Sequence, residues 1–204
     1  MRKIIEKVRG PLPEQREDGS LVFPANGFEG ADIYRARAGR AKQRADYYCQ
    51  YVLNNINTDA PDLSRKGNLE LFVAWSAFSC EIYFKCLLFH INAEDYNDKY
   101  PNGKKKLLEH DLKKLYKKLV KSDSNQELNY AACISKEIND FDSQLKEVSD
   151  YFNKYRYDFE LDIETLNYSF IFALMKKLYA ITEQIQFVEC IEVYQDTDDY
   201  LVIN

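Results

Sequence analysis

The chain has 204 residues, of which 46% are hydrophobic and 30% charged, with a formal net charge of −5. That balance supports a buried core and excludes a disordered polymer or a collagen-like repeat; the mild acidity excludes a molecule coated all over in basic residues. Only 7 glycines and 5 prolines occur, four of the prolines before residue 62, which favours long uninterrupted helices over a many-stranded sheet.

Residues 1–27 carry Gly10-Pro11-Leu12-Pro13, Asp18-Gly19 and Pro24-Ala25-Asn26-Gly27. They read as an irregular N-terminal arm, with room for a short extended piece at Leu21-Val22-Phe23. A helical domain is expected over residues 28–190. Its first helix runs from about Ala31 to Asn55, where Tyr34, Ala38, Ala41, Ala45, Tyr48 and Val52 fall on one stripe. The alanines in that stripe permit a close neighbour, and Arg37, Arg40 and Arg44 share a different face. Residues 56–67 read as a linker, and Asn68 is the expected N-cap of a second helix over Leu69–Ile91. This helix is apolar nearly all round, but Glu81 and Lys85 interrupt it and it lacks a run of about 18 uncharged apolar residues, so a buried central helix is expected and not a membrane span.

Residues 92–103 read as a loop ending in Pro101-Asn102-Gly103. A short helix follows near Asp111–Val120, with Leu112, Leu115 and Leu119 inward and lysines outward. Ser124-Asn125-Gln126-Glu127 has capping-box spacing and opens a predicted long helix carrying Ile134, Ile138, Phe141, Leu145, Val148 and Phe152. Asp162 is the expected cap of the last long helix, whose seam is Ile171, Leu174, Leu178, Ile181, Ile185 and Val188. The heptad-like seams fit antiparallel rods packed at small angles. Together they predict an all-α, up-and-down bundle of four to five helices. Residues 191–204 form a tail with space for a small hairpin.

Five cysteines are scattered at positions 49, 80, 86, 133 and 190 without any CxxC or Cys/His ligand spacing. They read as reduced core residues of a cytoplasmic protein, with no metal site. The N-terminus lacks the apolar stretch of a signal peptide. With two histidines only, His90 and His110, most triads fall away. No glycine-rich nucleotide loop is present, and no cofactor is implied.

Three stretches carry a family resemblance. Ala77 to Leu88 contains Ala77-x-x-x-Glu81-x-x-x-Lys85-x-Leu87-Leu88; His110-Asp111-Leu112-Lys113-Lys114-Leu115 follows; then comes Arg156-Tyr157-Asp158-Phe159-Glu160. In that order and spacing they resemble the HEPN domain, over roughly residues 30–190. The resemblance implies a helical bundle, commonly dimeric, in which many members cut RNA without metal. Others partner a small nucleotidyltransferase or belong to toxin–antitoxin and phage-defence systems. Active members use an arginine followed four to six residues on by histidine. Arg156 matches the arginine, but Glu160, Leu161 and Asp162 stand at those later positions, and no histidine follows His110.

The resemblance therefore implies a degenerate member that binds RNA or a protein partner, without the standard ribonuclease step. Two alternatives stay open. One is an active metal-independent endoribonuclease using Arg156 with an atypical base, His110, Asp158 or Glu160; the other is a purely structural dimerisation module. Glu81 and Lys85 are four apart on an apolar helix and need partners, with Arg156 the candidate to complete a polar cluster. Lys113, Lys114, Lys117, Lys118 and Lys121 offer a phosphate-binding face, as do Arg37, Arg40 and Arg44, or else these are solvated faces. The 16 tyrosines suit a half-buried interface, so a homodimer is expected.

Overall fold

The computed structural model describes residues 14–15, 21–22, 32–56, 66–100, 105–123, 129–149, 151, 167–185 and 187. Over these residues the chain is all-helical except for two strands of two residues each. Glu14–Gln15 (β1) pairs antiparallel with Leu21–Val22 (β2), Glu14 opposite Val22 and Gln15 opposite Leu21. Seven helices are described: α1 (Asp32–Ile56), α2 (Lys66–Ile91), α3 (Ala93–Lys99), α4 (Leu112–Asp123), α5 (Tyr130–Ser135), α6 (Phe141–Val148) and α7 (Tyr168–Glu183).

The core is organised around α2, which α1, α4 and α7 pack against. Tyr83, Phe84, Leu87 and Leu88 of α2 are fully buried, together with Val52 of α1, Leu115 and Leu119 of α4, and Ile171 and Leu174 of α7. Each such aliphatic or aromatic side chain contributes about 1.5–3 kcal/mol by leaving water. On α1, Tyr34, Ala38, Ala45 and Val52 are buried and Ala41 and Tyr48 half-buried. The small residues bring the two backbones close enough for the Ser79 hydroxyl of α2 to donate to the Ala45 carbonyl of α1 at 2.9 Å, out of contact with water. Among the described residues one helix, Leu69–Ile91, is long and apolar enough by length and composition to cross a membrane; 72% of its most apolar stretch is buried inside the protein.

The structure corrects several sequence expectations. The helix count is seven among the described residues, in place of four to five, for two reasons. Part of the expected loop at 92–103 forms α3, whose first turn holds Glu94 and Asp95 and whose last holds Lys99. These charges suit the helix poles, and Lys99 reaches back to Asp95 at 2.6 Å. The predicted long helix through Ile134 and Val148 is broken into α5 and α6. Glu137 (φ 67°) and Asp140 (φ 50°) are left-handed there, a region that aspartate, unlike glutamate, tolerates better than most residues and through which no right-handed α-helix continues.

The caps also shift. Lys66 begins α2, so Asn68 lies inside its first turn. Asn167 caps α7, its side chain accepting from the Phe170 amide at 3.3 Å, whereas Asp162 lies outside the described residues. Asn129 caps α5, accepting from the Ala132 amide at 2.8 Å. The Ser124 capping box, the C-terminal hairpin and Cys190 lie outside the described residues. Cys49, Cys80 and Cys86 are buried, but Cys133 is exposed on α5 and is no core residue.

Candidate functional site

Residues 105–111 carry the chain from α3 to α4 and place His110 against α2. Two anchors hold the start of this segment. The Arg37 guanidinium donates to the Lys105 carbonyl at 2.8 Å, and the Tyr34 hydroxyl accepts from the Lys105 amide at 3.2 Å while donating to the Tyr100 carbonyl at 2.9 Å. Arg37 also lies over the Tyr34 ring, so its position is fixed by the fold. At the other end, the Asp111 carboxylate accepts from the Lys114 amide at 2.8 Å and caps α4. Glu109 accepts from the His110 and Asp111 amides, both at 3.3 Å. Partial burial pushes the Glu109 carboxyl upward, but the Asp111 amide and the Lys114 and Lys118 ammonium groups outweigh it and hold Glu109 below its ordinary value.

Between these anchors the imidazole meets a carboxylate. His110 Nδ1 lies 3.0 Å from Glu81 Oε1, and the same oxygen accepts from Lys85 Nζ at 2.7 Å. The Glu81 side chain is only 3% exposed, while His110 is 49% exposed. Because a carboxylate oxygen accepts, Nδ1 carries the ring proton and Nε2 is the basic nitrogen, left without a partner among the described residues. Glu81 Oε2 is buried and also lacks a partner among the described residues. Arg156, Asp158 and Glu160 lie outside the described residues.

The lysines of α4 divide into two sets. Lys114 and Lys118 turn toward Glu109, at 4.0 and 3.7 Å. Lys113 and Lys117 instead line a groove of about 720 Å³ between α4 and α6, with Tyr116, Val120, Asp140 and Phe141 among its walls. A second hollow of about 500 Å³ adjoins it, lined by the same two lysines with Lys114 of α4 and Lys146 of α6, and also by the carboxylates Asp111 and Glu147. Lys113, Lys117 and Lys146 make no ion pair within the described residues. Lys121 is exposed at the end of α4, as are Arg40 and Arg44 on α1.

Sequence reasoning missed a second, partly buried polar network, between α1, α2 and α7. The Tyr83 hydroxyl donates to Asp46 at 2.6 Å, and Lys42 Nζ bridges Asp46, at 2.6 Å, and Glu183. Burial alone would lower the Lys42 ammonium, but its hydrogen bonds to Asp46 and Glu183 push it above its ordinary value. Nearby, burial pushes the Cys49 thiol up to about 11, which makes it a poor nucleophile at neutral pH. The Lys42–Asp46 spacing of four was visible in the sequence; Glu183, 141 residues from Lys42, was not. Among the described residues, no three His, Cys, Asp or Glu side chains converge as a metal site requires.

No family model, no curated protein and no solved structure matches the chain.

Proposed function

We propose that this chain is a HEPN-like helical bundle that binds RNA through its phosphates and lacks the family's usual cleavage step, acting as a regulatory component in a toxin–antitoxin or phage-defence setting. The observation that carries the reading is the pair Lys113 and Lys117 on the groove between α4 and α6, with Lys146 beside them and no ion pair to any of the three within the described residues. Cations left without internal partners beside a concave surface favour an anionic chain, and releasing the counterions of that chain drives association. The binding test is fluorescence anisotropy of a labelled RNA at increasing salt. Each lost phosphate contact flattens the log–log slope by about 0.7 for a single strand, so Lys113→Ala with Lys117→Ala flattens it by about 1.4. An unchanged slope refutes the groove, and a protein that retains no RNA at low salt but self-associates in light scattering is a dimerisation module.

One contact favours a second reading, an endoribonuclease with an atypical base. Glu81 orients His110 so that the half-exposed Nε2 is the basic nitrogen. In that role Nε2 takes the proton of a ribose 2′-hydroxyl while its oxygen attacks the adjacent phosphorus. The bond to the 5′-oxygen breaks and that oxygen takes a proton from water, leaving a 2′,3′-cyclic phosphate and a 5′-hydroxyl, while the imidazolium returns its proton to solvent. Arg156 is the candidate to hold the phosphate. Incubation of pure protein with structured RNA separates the readings: cleavage lost in both His110→Ala and Arg156→Ala supports the enzyme, and binding without cleavage supports the first reading.

A further inference from the structure

The outer face where α1 meets α2 has a composition that neither the groove nor the His110 cluster uses. Arg40, Arg44, Tyr47, Tyr51 and Asn54 are all exposed and follow one another at spacings of 4, 3, 4 and 3, a single stripe along α1. Tyr47 is 69% exposed and Tyr51 is 38% exposed. Beneath the stripe the rings support one another: Tyr51 meets Trp75 edge-on at 4.3 Å, Tyr47 meets Tyr48 at 5.4 Å, and Tyr48 meets Trp75 at 6.2 Å. Arg44 lies over the Phe78 ring at 5.5 Å. No side chain exposed on α1 between Arg40 and Asn54 is acidic; Asp46 turns inward to Lys42 and Tyr83.

We propose that this face is a stacking platform for single-stranded RNA. The inference deepens the RNA-binding reading above and rests on it, naming an unpaired strand as the form bound. Supported aromatic rings beside guanidinium groups match what a single strand offers, a row of π-faces on an anionic backbone. From Arg44 to Tyr51 the helix rises about 10 Å, room for about three nucleotides at roughly 3.4 Å each. A second copy of the chain is the rival occupant, and protein concentration separates it from RNA in the titration below.

The chain has a single tryptophan, Trp75, which lies in this face, so intrinsic fluorescence reports on it directly. Titration with a short oligouridylate is expected to quench Trp75 saturably, and the same oligonucleotide annealed to its complement is expected not to. Tyr47→Ala, a change at a surface position, weakens the single-strand titration about tenfold, and Arg44→Ala weakens it several-fold. Quenching that survives both variants overturns the platform. So does an equal response to polyglutamate, which would mark a general acidic docking face, or a concentration-dependent Trp75 change without RNA that tracks dimer mass. Labelled RNA that binds through Lys113 and Lys117 while Trp75 stays silent overturns the platform and leaves the groove standing. Quenching with no effect of the lysine variants does the reverse.

Discussion

Replacing Glu81 by methionine tests how the α2 cluster is held together. Glu81 is 3% exposed and Lys85 16% exposed, joined at 2.7 Å. Glu81→Met keeps the length of the side chain and leaves the largely sheltered Lys85 ammonium with no acidic partner among the described residues. Breaking a buried pair in this way costs about 3–5 kcal/mol; because Lys85 keeps some access to water, the lower end applies, about 3 kcal/mol. For a chain of this size each kcal/mol lowers Tm by about 2–4 °C, so the variant should melt about 6–12 °C below the parent by far-UV circular dichroism. Lys85→Met leaves the more deeply buried Glu81 with the His110 imidazole at 3.0 Å as its remaining partner and should also destabilise, by less than Glu81→Met if that imidazole compensates. Replacing both by methionine removes both charges together and should return to within about 1 kcal/mol of the parent, or exceed it. A Glu81→Met protein melting within a degree or two of the parent would refute the burial reasoning, and so would a double variant whose loss equals the sum of the singles.

Four further outcomes are expected. Burial pushes the Asp123 carboxyl above its ordinary 3.8, with the Ala131 and Tyr130 amides pulling the other way; a raised acid folds best protonated, so its contribution falls as pH climbs from 3.8 through the raised value. Asp123→Asn keeps an acceptor for the Ala131 amide, now at 2.7 Å, and should flatten that fall in urea titrations, while Asp123→Ala should cost about 1–3 kcal/mol. The Lys42 ammonium is raised above 10.5, so its stabilisation is fully present below pH 10.5 and lost as pH rises through the higher folded value; the stability gap between the parent and Lys42→Met should close only in that alkaline range. Asn167→Ala removes the cap of α7 and should cost about 1 kcal/mol in urea unfolding. Alkylation of the native protein followed by mass mapping should label exposed Cys133 well before Cys49, Cys80 or Cys86, which are buried with thiols pushed up by desolvation.

How much was legible depended on whether a feature lives on one helix or between several. The stripe from Tyr34 to Val52 and the Leu112–Leu115–Leu119 face were readable because periodicity reports which side of a rod meets the core. The break before α6 was not. Ile134, Ile138, Phe141, Leu145 and Val148 keep helical spacing straight across it, with no glycine or proline to mark it. Its causes are local hydrogen bonds and left-handed residues, such as Gln144 reaching the Asn139 carbonyl at 2.6 Å and the positive φ of Glu137 and Asp140. Apolar spacing records faces, not backbone dihedrals. Likewise the Glu81–Lys85 spacing could be read directly, whereas His110 joins Glu81 from 29 residues away, through a connection fixed by Tyr34 and Arg37. Long-range placement of this kind requires the packed fold.

Where α4 begins and α6 ends, the Leu112 amide donates to the Ser149 carbonyl at 3.0 Å. A free amino end and a free carboxyl end of two helices thus quench each other, each satisfying a group the other leaves open. Their opposed dipoles cancel much of the local field. The rim of the lysine-lined hollow therefore has little backbone attraction of its own for negative charge. Any pull it exerts resides in side-chain ammonium groups, which acetylation can switch off one at a time.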